Sequence, residues 1–152
     1  MIDEPMNLTF FRILSHLSAR YPLVAGQRFP YFESMERKGA MCSSLDILRG
    51  TSFTLIFARA AADEKPVALG EAKSAVGRLP GCRLVILSPV LSFFHVEEEG
   101  GWESYRVPHL KSKILGPMSG ALMLVRPDGY LGYIEKAGKK SELEAYVSKL
   151  VK

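Results

Sequence analysis

The side chains best equipped for chemistry in this chain are two cysteines, Cys42 and Cys82, three histidines, His16, His95 and His109, and the acidic run Glu97-Glu98-Glu99. Thiol chemistry leaves recognisable spacings: C-x-x-C for a dithiol, cysteines interleaved with histidines for zinc, or a base placed to draw off the thiol proton. None of these occurs, because the two cysteines lie far apart and no histidine pair stands near either. Both are expected to be free thiols rather than a disulfide or zinc ligands. Cys82 reads as a buried structural thiol. Cys42, in a loop of greater exposure, is the candidate nucleophile, although no neighbour in sequence supplies the charge that would lower its pKa. The histidines stand apart from one another and from any D-x-H or H-x-x-x-H pattern, and Glu97 to Glu99 reads as the solvated tip of a glycine-flanked loop. Trp102 and Tyr105 read as packing for a long loop rather than pocket lining, and no G-x-G-x-x-G marks a dinucleotide site. No residue receives a catalytic, cofactor-binding or metal-binding assignment, and no cofactor is expected.

The elements that would position such groups follow from periodicity. Leu8 to Leu17 places Phe10, Ile13, Leu14 and Leu17 on one helical face, with Asn7 as its cap, and ends before Tyr21-Pro22. From Leu23 to Ser44, Gly26, Pro30 and Gly39 predict an irregular approach with short extended pieces, followed by a helical turn, Leu45 to Leu48, stopped by Gly50. Ser52–Ala58 and Arg83–Ser88 are apolar on both faces, as in central strands covered on two sides. A helix predicted over 65–78, with Val67, Ala68, Ala72, Ala75, Val76 and Leu79 supplying a mostly small inner face, joins them into a βαβ unit with a right-handed crossover. From Pro89 to Pro117 the signals weaken: Val90 to Phe94 reads as strand or loop, and Trp102 to Tyr105 as the start of a short helix.

Gly120 to Ile134 is the most informative stretch. It joins a buried strand, Leu122–Val125, through Arg126-Pro127-Asp128-Gly129 to a second strand, Tyr130–Ile134. Pro127 presets φ, Asp128 can bond its own backbone, and Gly129 takes the left-handed conformation that closes a hairpin. Ser141-Glu142-Leu143-Glu144 then predicts a capping box opening a last helix, whose Leu143, Tyr146, Val147, Leu150 and Val151 form one apolar stripe against the sheet.

Composition narrows the function classes. The chain has 152 residues, 47% hydrophobic and 24% charged, enough for one domain with a sizeable core. Residues 1–22 read as an N-terminal helix and linker, and residues 23–152 as the globular domain. The net charge of +4 is dispersed, and the nearest thing to a basic cluster, Lys136, Lys139 and Lys140, has acidic neighbours, so no nucleic-acid partner is expected. No stretch approaches the ~18 apolar residues that would span a bilayer. Asp3 and Glu4 stand where a secretory signal carries positive charge, which predicts a cytoplasmic location.

A βαβ unit followed by a strand, a hairpin and a terminal helix is the order of a thioredoxin-like α/β fold, a central mixed sheet flanked by helices. Reactive thiols in that fold lie where the first core strand meets the following helix, whose N-terminus lowers a cysteine's pKa. Here that junction runs from Ala58 and Arg59 to Lys65 and Pro66 without a cysteine, serine or threonine. Gly120-Ala121 stands where the fold usually places a cis-proline, and Pro117 falls too early. The expectation is a thioredoxin-like domain lacking the C-x-x-C motif.

Four segments in register sharpen this: Leu17-Ser18-Ala19-Arg20-Tyr21-Pro22, Ala25-Gly26-Gln27-Arg28-Phe29-Pro30, Leu45-Asp46-Ile47-Leu48-Arg49-Gly50 with Phe53-Thr54-Leu55, and Leu124-Val125-Arg126-Pro127-Asp128-Gly129-Tyr130. Together they resemble the C-terminal thioredoxin-like domain of flavin-dependent aromatic hydroxylases, the phenol hydroxylase group. The resemblance implies a thioredoxin fold without thiols that packs on flavin and substrate domains and helps subunit association. FAD and the phenol would be bound by an upstream portion that this chain lacks. The function expected is therefore a non-catalytic interaction or dimerisation domain related to FAD-dependent aromatic monooxygenases, partnered by a second copy or a flavoprotein. Two alternatives stay open: an atypical thiol peroxidase or oxidoreductase using Cys42, and a complementing subunit of a separately encoded flavin monooxygenase.

Overall fold

Two apolar runs, Thr54–Ala58 and Arg83–Ser88, set the architecture, because a strand apolar on both sides must be covered on both sides. The computed structural model describes residues 24–33, 35–48, 50–59, 69–89, 100–108, 120–136 and 141–151. The helix expected over 8–17, the beginning of the helix at 65–68, Val90 to Phe94, Glu97 to Glu99, Pro117 and the three histidines lie outside the described residues.

In chain order the elements are β1 (Met35–Arg37), β2 (Ala40–Cys42), α1 (Ser44–Ile47), β3 (Thr54–Ala58), α2 (Leu69–Ala75), β4 (Arg83–Ser88), β5 (Glu103–Arg106), β6 (Leu122–Val125), β7 (Leu131–Glu135) and α3 (Leu143–Leu150). The strands form one seven-stranded sheet in the order β2-β1-β5-β4-β3-β6-β7. β3, β4 and β5 run parallel, while β6 and β7 on one flank and β1 and β2 on the other are antiparallel.

Alternation along the strands divides the core in two. Ile56, Ala58, Val85, Leu87, Met123 and Val125 face a cluster completed by Phe29, Phe32, Met35 and Ile47 of α1. Leu55, Phe57, Leu84, Ile86 and Leu124 face the other side, where Ala72, Val76 and Leu79 of the α2 region and Leu143 and Val147 of α3 cover them. The predicted βαβ elements are thus in place; of the expected inner face, Ala72, Val76 and Leu79 are buried and Ala75 is partly buried against them, while Val67 and Ala68 lie outside the described residues.

The turn after β6 behaves as its residues require. Arg126 N–H donates to Tyr130 O at 2.8 Å, Gly129 N–H donates to Arg126 O at 2.9 Å, and Asp128 Oδ1 accepts from Tyr130 N–H at 3.1 Å. Gly129 has φ +87° and nothing within 4 Å of where a Cβ would stand, so its requirement is conformational rather than steric. Gly129→Val should cost about 1–2 kcal/mol from the left-handed backbone alone, read as a lower urea midpoint. An unchanged midpoint would show that the backbone there relaxes freely.

Three expectations are corrected. Trp102 to Tyr105 does not begin a helix: Glu103–Arg106 is β5, paired in parallel with β4. The residues lack a strand's apolar run because two of them are charged, and the sheet absorbs those charges by pairing Glu103 with Arg83 and Arg106 with Glu36 at 2.8 and 2.7 Å. The capping box at Ser141 does not form. Glu142 is the N-cap and makes no side-chain cap bond; its own N–H donates to Tyr133 Oη at 3.0 Å, which ties the start of α3 to β7. Leu150 also leaves the expected stripe and is 42% exposed, while Leu143 and Val147 are buried.

Candidate functional site

Parallel strands present their C-terminal ends to one edge of a sheet, and open α/β sheets bind ligands outside that edge. On this edge, register and alternation place a row of polar residues. Ala58 pairs with Leu87, and Arg59 N–H donates to Leu87 O at 2.8 Å, which sets Arg59 beside Ser88; Ser88 pairs with Arg106, and Arg106 with Glu36. All four lie on the face that carries α2 and α3. Arg59 is 6% exposed and Ser88 is fully buried, whereas the Arg106–Glu36 pair is half-buried. A buried arginine thus follows β3 where the fold would hold a thiol. The sequence shows that residue plainly, but its alignment with Ser88, Arg106 and Glu36 depends on strand order and could not be read from it.

The two thiols are elsewhere. Cys42 ends β2, which four strand spacings, roughly 19 Å at ~4.8 Å each, separate from β3. Its Sγ donates to Met35 O at 3.7 Å; burial pushes its pKa up, the Asp46 carboxylate adds to that, and Arg37 opposes it. Cys82 precedes β4, at the N-terminal rather than the C-terminal end of the strand. Burial pushes it up to about 11. Both are half-buried free thiols, so Cys82 is less enclosed than its apolar neighbours suggest. With so little thiolate, Cys82 should react with iodoacetamide near neutral pH at least about tenfold slower than an unfolded cysteine. Mass spectrometry of native and urea-unfolded protein reads this, and equal rates would refute the buried environment.

Trp102 and Tyr105 pack as expected, at 3% and 5% exposure in the two core clusters. Tyr105 Oη meets Glu103 at 3.2 Å, and burial pushes its pKa to about 12. Arg83 binds the same carboxylate and reaches Ile47 O at 2.9 Å, tying α1 to the sheet. Among the described residues there is no cluster of three potential metal ligands and no helix long and apolar enough to cross a membrane. Two of the surface clefts are lined by described residues. One, of about 350 Å³, lies between α2 and α3 with Glu71, Arg78 and Glu144 on its walls; the other, of about 390 Å³, lies beside the Arg126–Gly129 turn.

A mixed sheet in this order, helices on both faces, and a parallel β3-α2-β4 unit followed by a hairpin and a terminal helix identify the architecture. The fold is thioredoxin-like. The chain is similar to the thiol peroxidase from Chromobacterium violaceum, with TM-score 0.64 and 16% identity over 86% of this chain and 87% of that one. It is also similar to the C-terminal domain of a putative thiol-disulfide oxidoreductase from Bacteroides thetaiotaomicron, with TM-score 0.60 and 17% identity over 84% of this chain and 96% of that one. A third likeness is to the flavin-dependent monooxygenase PieE in complex with FAD and substrate, with TM-score 0.53 and 20% identity over 84% of this chain but only 20% of that one. No protein-family model matches the chain, and no curated protein matches it. At these identities the thioredoxin-like fold is what the chain shares with each.

Proposed function

We propose that this chain is a non-catalytic thioredoxin-like interaction domain, related to the C-terminal domain of FAD-dependent aromatic monooxygenases of the phenol hydroxylase group. The observation that carries the reading is the junction after β3. It holds the buried Arg59 instead of a thiol, and both cysteines stand far from it with their pKa values raised. The likeness to one part of a flavin monooxygenase supports the same reading. In it the domain works by its surface, joining a second copy or a flavoprotein partner, and needs no cofactor of its own.

A second reading has a specific support: the likenesses to a thiol peroxidase and to a thiol-disulfide oxidoreductase, at TM-scores of 0.64 and 0.60, are higher than the 0.53 of the flavin monooxygenase. On that reading Cys42, the more exposed position in sequence, is the reacting thiol. Peroxide consumption and insulin-disulfide reduction, with a dithiol reductant supplied, separate the two. The interaction-domain reading expects neither activity above background in the wild type or in Cys42→Ser. Turnover that disappears in Cys42→Ser would overturn it in favour of the thiol enzyme.

A further inference from the structure

The cleft beside the Arg126–Gly129 turn is built from three segments distant in sequence: residues 28–31, α1 with Leu48 behind it, and the turn itself. Backbone bonds lock them together. Phe29 N–H donates to Gly129 O at 2.9 Å, Leu131 N–H to Gln27 O at 2.7 Å and Ser44 N–H to Phe32 O at 2.9 Å, while Ser44 Oγ accepts from Phe32 N–H at 3.0 Å. The hollow is therefore preformed, and little ordering is needed to fill it. Buried Phe29 and half-buried Leu48 line it together with exposed Pro127, while Tyr31 and Leu45 on its wall stand 58% exposed and Tyr130 is 37% exposed nearby. Exposed apolar side chains gathered around a rigid hollow mark an interaction surface, and tyrosine and arginine are favoured in such patches.

The charges on this face indicate what covers it. Arg28 stacks on the Tyr130 ring at 5.4 Å and forms no ion pair among the described residues. Asp128, on the same rim, is already held by Arg126. Glu33 is exposed on the Tyr31 side and accepts the Tyr31 hydroxyl at 2.7 Å. One face thus carries an apolar knob, an apolar hollow, a cation and a carboxylate, both halves of each contact. A patch of that kind is complementary to itself under a two-fold rotation, in which residue i meets j and j meets i.

We propose that this face is a two-fold interface between copies of the chain, with Tyr31 and Leu45 of each copy filling the cleft of the other and Arg28 meeting Glu33 across the axis in both directions. This rests on the interaction-domain reading and names its partner as a second copy. Sedimentation equilibrium of the full chain over a concentration series tests it. A reversible monomer–dimer equilibrium is expected, with Arg28→Glu raising the dissociation constant about tenfold or more and Arg28→Glu combined with Glu33→Arg restoring it. Leu45→Glu, at an exposed position, should also dissociate the dimer, and circular dichroism verifies that each variant is folded. A wild type that stays monomeric, a dimer indifferent to both single substitutions, or a failure of the double variant to recover would overturn the proposal. A monomer without thiol turnover removes the interface and leaves the non-catalytic reading intact; Cys42-dependent turnover in an intact dimer does the reverse.

Discussion

Arg83→Met should lower folding stability by about 2–3 kcal/mol, seen as a urea midpoint shift and a melting temperature lower by roughly 4–12 °C. The guanidinium grips Glu103 with two bonds, Nε to Oε2 at 3.0 Å and Nη2 to Oε1 at 2.8 Å. Its Nη1 donates to Ile47 O at 2.9 Å and to Asp46 O at 3.2 Å, satisfying carbonyls at the end of α1 that the helix cannot satisfy itself. Methionine keeps the packing of the alkyl stem and deletes every one of these bonds, leaving a carboxylate and two carbonyls without the partner around which they are arranged. A fully buried pair broken this way would cost more. These side chains are 26% and 30% exposed, so water compensates in part.

The same pair imposes a pH dependence. The hydrogen bond from Arg83 holds the Glu103 carboxyl below the usual carboxylate range. A carboxyl whose folded pKa lies below its unfolded value contributes stability that is fully present above the unfolded pKa, near 4.3. It is lost as pH falls through the folded value. Wild-type stability should therefore decline below about pH 4, and Arg83→Met should remove part of that slope. Parallel slopes in the two proteins would assign the acid sensitivity to other carboxyls.

Leu124→Ala is expected to cost about 3 kcal/mol or more, a large share of what a domain of this size possesses. Leu124 is fully buried on β6, opposite Leu55 of β3 and Tyr133 of β7, in the cluster that Leu143 and Val147 of α3 cover. Strands on both sides and a helix above restrict collapse around the missing atoms, so a cavity adds to the lost transfer energy. Leu150→Ala is the matched control. At 42% exposure its loss should stay under about 1 kcal/mol. Equal destabilisation by the two would contradict the two-layer packing of α3.

How much of this was visible beforehand varied with the range of the interaction. β3 and β4 were legible because an unbroken apolar run leaves few options, and the β6–β7 hairpin because Pro127, Asp128 and Gly129 each meet a local backbone requirement. β5 was not, since Glu103 and Arg106 read as surface residues until their partners on β4 and β1 are known. The bond from Glu142 N–H to Tyr133 Oη was hidden for the same reason: its acceptor lies on β7 and reaches the start of α3 only through the fold. At the candidate site, the lack of a cysteine after Ala58 could be read directly, and the cross-strand row from Arg59 to Glu36 could not.

By itself, the sequence determined a thioredoxin-like order of elements, the hairpin turn and a strand–helix junction without a thiol, all features encoded by residues adjacent in the chain. Only the tertiary structure decided that β5 completes the parallel core, that Arg59 stands in line with Ser88 and Arg106, that both cysteines are half-buried away from that edge, and that residues 28–31, α1 and the Arg126–Gly129 turn enclose one cleft. The physical reason is register. Propensity and turn chemistry act over a few residues, whereas the neighbours that give a polar side chain its charge environment are brought together by strand pairing and packing over tens of residues.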